Sequence, residues 1–98
     1  MKSIQVLGET YRLKLVSGLI EREGCEGYCD PYSYTIVIDK ALMKNKRIFR
    51  RVLLHELCHA FAIEAGLHEF MSGQSLEMFC QTMSSFIDKL HLPKGRRR

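Results

Sequence analysis

The hydrophobic period of this chain changes once, near residue 45, and that change limits the fold more than any other feature. Upstream, apolar residues alternate with polar ones. Ile4 and Val6 lead into Leu7-Gly8-Glu9, a tight turn, and Tyr11, Leu13 and Leu15 then alternate with Arg12 and Lys14. Residues 3–16 are thus predicted to form a hairpin or one long bent strand. Gly18, Gly24, Gly27 and the Asp30-Pro31 pair make 17–31 a stretch of turns or irregular loop. Tyr34–Asp39 is the strongest strand, β-branched and aromatic with no breaker.

Downstream the period is helical. From about Asn45 to Ala65, Ile48, Phe49, Val52, Leu53, Ala60 and Ile63 share one face, and Gly66 follows as a stop. Ser75 is the expected N-cap of a second helix, in which Leu76, Phe79, Cys80, Met83, Ile87 and Leu90 recur at three- and four-residue steps until Pro93. The order β-β-β-α-α predicts an α+β fold, with a small antiparallel sheet of about three strands carrying two helices on one face. Residues 1–93 are read as one domain and 94–98 as a basic tail.

A chain of 98 residues supports one core, and 46% hydrophobic residues are enough to fill it. The net charge of +4 comes from the tail. Without Lys94, Arg96, Arg97 and Arg98, 11 basic side chains face 11 acidic ones. Lys44, Lys46, Arg47, Arg50 and Arg51 open the first long helix and read as a solvated face, so no nucleic-acid partner is expected. Met-Lys-Ser-Ile-Gln lacks the apolar core of a signal peptide, and no apolar run has the length of a bilayer span. A cytoplasmic, reduced protein is expected, without a membrane partner and without disulfides. Cys58 and Cys80 read as buried small hydrophobes, and Cys25 and Cys29 as loop cysteines rather than a second metal site.

The chemistry is concentrated in His55-Glu56-Leu57-Cys58-His59. Residues four apart on a helix lie about 40° apart around the axis and about 6 Å along it, so both imidazoles can hold one zinc ion. Glu56 is about 100° round from His55 and flanks the metal, the place for a general base to a zinc-bound water. An open catalytic zinc site needs a third protein ligand. His68 lacks the spacing of a third histidine in an extended motif, and Glu64 points away from the histidine face. Glu77, early in the second helix, is favoured; Glu69, in the loop, is the rival.

With Glu77 placed in a second helix, this pattern resembles the gluzincin-type zinc peptidases. Its nearest likeness is to the small ImmA/IrrE-like and minigluzincin-like proteins carried by phages and prophages. The resemblance extends to Val6-Leu7-Gly8, Gly27-Tyr28-Cys29-Asp30, Ile36-Val37-Ile38 and Arg51-Val52-Leu53-Leu54. It implies a zinc metalloendopeptidase with one Zn2+ on His55, His59 and Glu77, Glu56 as catalytic base, and a protein or peptide substrate. It also implies that the Tyr34–Asp39 strand is an edge to which an extended substrate adds. Larger members draw an oxyanion donor from a C-terminal subdomain, and no counterpart of it is expected here. His68 and Tyr28 are the candidates for that role. The competing expectation is a weakly active or inactive zinc-containing module that binds a protein partner.

Overall fold

The structure, a computed structural model, describes residues 2–90. The predicted Pro93 stop and the 94–98 tail lie outside the described residues. Five elements precede the long helices: strands β1 (Lys2–Val6) and β2 (Glu9–Val16), a short helix α1 (Leu19–Glu23), and strands β3 (Gly27–Asp30) and β4 (Thr35–Asp39). A 3-10 turn over Lys40–Lys44 leads to α2 (Lys46–Glu64). A second, Leu67–Glu69, leads to α3 (Gly73–Asp88).

The fold is α+β, but the sheet has four strands and is mixed, in the order β1-β2-β4-β3. β1 and β2 form an antiparallel hairpin in which Val6 pairs with Glu9. Leu7 and Gly8 have φ of 48° and 92°, the two positive values that a tight hairpin turn matching strand twist requires. β4 then runs parallel to β2, Leu13 opposite Ile36, and β3 closes the far side antiparallel, Cys29 opposite Ile36.

Two expectations change here. The 17–31 segment is not only loop: it contains α1 and β3. The glycines that signalled turns sit at their ends, Gly18 and Gly24 flanking α1 with φ of 76° and 71°. The Tyr34–Asp39 strand is not an edge. It lies between β2 and β3, every residue of β4 is buried, and the edge beside the long helices is β3.

The core is where the alternating faces predict it. Val6, Tyr11, Ile36 and Ile38 bury one sheet face against Ala60, Val52, Leu53 and Leu57 of α2. Asn45 caps α2, its side chain accepting from the amides of Arg47 and Ile48, and Gly66 ends the segment at φ 77°. The cap of α3 lies three residues before the expected one. Ser72, not Ser75, is the N-cap and accepts from the Ser75 amide. α3 also ends at Asp88, with Lys89 as C-cap, so Leu90 lies beyond the helix. Cys58 and Cys80 are buried as expected, and all four cysteines are free thiols. No helix among the described residues is long and apolar enough to cross a membrane.

Candidate metal centre

α2 presents His55, Glu56 and His59 toward α3, which returns antiparallel after the short turn at Leu67–Glu69. This return brings Glu77, in the second turn of α3, to both histidines. Glu77 Oε2 lies 3.0 Å from His55 Nε2, and Oε1 lies 3.0 Å from His59 Nε2. The two Nε2 atoms are 3.3 Å apart, with the rings edge to face. Among the described residues, His55, His59 and Glu77 are the one group of three or more ligating side chains whose donor atoms fall together, within 4.8 Å. Glu69 and Glu64 are not in it. Glu64 is held elsewhere, accepting 2.8 Å from the hydroxyl of the fully buried Tyr11.

The donor set fits a small divalent cation. Two imidazoles and a carboxylate are the ligand types of an open zinc site. Metal–nitrogen bonds of about 2.0–2.1 Å in tetrahedral geometry place neighbouring ligand atoms about 3.3–3.4 Å apart, close to the spacing found here. Burial lowers the His55 pKa from its ordinary value and His59 adds to this, against the opposing pull of Glu77. The neutral imidazole thus favoured is the form that ligates. Burial pushes the Cys80 thiol up to about 11 and that of Cys29 up to about 12. Neither offers a competing thiolate at neutral pH.

Glu56 differs from His55, His59 and Glu77 in its surroundings. It is 8% exposed, and burial, reinforced by the nearby Glu77 carboxylate, pushes its pKa up to about 7. It lines an open cleft of about 860 Å³ together with His55, Val52, Gly27 and Gln81. Gly27 is required there. A Cβ at this position would stand 2.8 Å from the Val37 carbonyl oxygen and 3.2 Å from Val52 Cγ1. The absence of a side chain lets the start of β3 lie close over α2 and form the cleft's second wall. Nothing in the 17–31 composition beyond the glycine itself announced this role. The α3 wall (Gln81, Ser84, Ser85) was equally silent, because small polar residues on a helix carry no ligand signature.

The two oxyanion candidates are not brought to the cleft. Gly27 and Cys29 face α2 and the core, so strand alternation turns Tyr28 to the opposite sheet face. His68 sits in the Leu67–Glu69 turn and does not line the cleft. No known protein family, curated protein or solved structure matches this chain.

Proposed function

We propose that this protein is a small zinc-dependent, gluzincin-like metallopeptidase that hydrolyses peptide bonds. The observation that carries the reading is the convergence of His55, His59 and Glu77 at ligand-to-ligand spacing, one residue away from a buried carboxylate that opens on a cleft. His55, His59 and Glu77 would hold the ion, which would supply a Lewis acid able to bring the pKa of a water near about 7. Glu56 would accept the proton of the attacking water and return it to the leaving amine. A carboxylate beside the reacting water can do both in turn. The outer edge of β3, unpaired among the described residues, supports an extended substrate, because it borders the cleft at Gly27 and can pair with a peptide backbone.

Metal analysis and cleavage of a denatured protein test this directly. About one zinc per chain is expected, falling in His55→Ala. Glu56→Gln should retain zinc and cleave on the order of 10²–10⁴-fold more slowly. Undiminished cleavage by Glu56→Gln would remove Glu56 from its role. A second reading, a zinc-holding binding module with little or no activity, is favoured by the orientation of Tyr28 away from the cleft. Its signature is full zinc occupancy, no cleavage, and equal behaviour of wild type and Glu56→Gln.

A further inference from the structure

The cleft is asymmetric in charge, and the asymmetry lies on the helix that carries the histidines. Arg47, Arg51 and His55 recur every four residues along α2 and all line the cleft. One helical turn, about 6 Å along the axis, separates each from the next. Arg50 also lines it, but its Nε donates to Asp88 Oδ1 at 2.9 Å, tying the start of α2 to the end of α3. Arg47 and Arg51 have no ion-pair partner among the described residues. Facing them, Glu26 is the acidic group on the β3 wall. Two uncommitted guanidinium groups therefore stand in line with the metal centre, at the end remote from Glu77.

We infer that Arg47 and Arg51 select an acidic segment of the polypeptide that occupies the cleft, a choice that rests on the peptide-hydrolysis reading above. A guanidinium binds a carboxylate through two parallel hydrogen bonds, in a geometry a solvated cation on an open face does not need. An extended chain advances about 3.3 Å per residue. Arg51 thus faces a side chain about two residues from the scissile bond, and Arg47 one about four residues from it. Arg50, paired with Asp88, does not contribute a free charge. The occupant is a peptide rather than a nucleic acid, because two cations one helical turn apart, with Glu26 lining the same cleft, suit isolated carboxylates and do not form the continuous basic track that a run of phosphates needs.

Two measurements test the inference. Fluorescence anisotropy is run on zinc-loaded protein with labelled peptides of equal length, one Glu-rich, one Lys-rich and one of Gly and Ser, and with a single-stranded oligonucleotide. Wild type should bind the Glu-rich probe about tenfold tighter than the Gly/Ser probe, with the preference weakening as salt rises. The Arg47→Ala/Arg51→Ala double variant should lose that preference while keeping its zinc. The basic residues at 94–98 are common to both proteins, so the difference reports the cleft. Equal preference in both proteins overturns the inference. So does tighter oligonucleotide binding that the double variant abolishes. Mapping of cleavage sites in a mixed peptide library separates the two proposals. Cleavage without acidic enrichment near the cut sinks the arginine assignment and spares the hydrolase. An acidic preference in binding with no cleavage does the reverse. Arg51→Glu should turn the enrichment toward Lys and Arg.

Discussion

At the scale of single residues, the chain invests its buried carboxylates in different work. Glu56 faces the cleft, whereas Asp39, 1% exposed at the end of β4, holds the fold together. Its Oδ2 accepts from the Ile20 amide and its Oδ1 from the Ala41 amide, both at 2.8 Å, fixing α1 and the following 3-10 turn to one strand. Those two amides, that of Ile20 first, hold its pKa below the usual carboxylate value. A group whose folded pKa is depressed stabilises above its unfolded pKa, and the stabilisation fades as pH falls from there through the folded value. Asp39→Asn should therefore be less stable than wild type near neutral pH, with the gap narrowing below about pH 4. Urea unfolding of both proteins at neutral pH and near pH 3 measures it; a gap of constant size would show that charge plays no part. None of this was visible in the sequence, where Asp39 is only the last residue of a good strand. The histidines were visible, because a four-residue step on a helix has one geometric outcome.

At the scale of elements, legibility followed periodicity. α2 was readable at both ends, since Asn45 and Gly66 are cap residues beside a long apolar stripe. β3 was not, because four residues containing a glycine carry no alternation long enough to detect. Missing β3 also misplaced the sheet edge. With three strands Tyr34–Asp39 can be outermost, whereas the fourth strand makes it central. The start of α3 was read late because both Ser72 and Ser75 are capping residues, and only the backbone decides between them. The Asn45 cap yields an element-scale prediction. Its side chain satisfies two amides at the start of the helix that carries His55 and His59, at 3.1 and 3.3 Å. Asn45→Ala should cost about 1 kcal/mol of stability. His55 lies more than two helical turns further on, so zinc stoichiometry should not change. Thermal denaturation with metal analysis checks both halves, and loss of zinc at intact stability would contradict the assignment of Asn45 to capping alone.

At the scale of the molecule, the question is what the metal would do for the fold. The apolar core joins the sheet to α2 through Tyr11, Ile36, Ile38 and Ala60, and needs no ion. α3 is anchored less deeply. Among its residues Cys80 and Ser84 are buried, while Met78 and Phe86 stay exposed. Glu77, 57% exposed at its side chain, supplies the link from α3 to both histidines. A metal held there would act as a clasp between two helices rather than as the nucleus of the fold. Chelation should therefore leave a folded protein with near-native far-UV circular dichroism and a lower melting temperature. The stabilisation lost is set by metal concentration relative to its dissociation constant. Amide exchange should rise most over Gly73–Asp88 and least over β4 and the middle of α2. Glu77→Gln should reproduce this pattern in the presence of zinc, since it weakens the α3 side of the clasp and leaves the core untouched. Global unfolding on chelation would instead make the ion structural, and would favour the binding-module reading over hydrolysis.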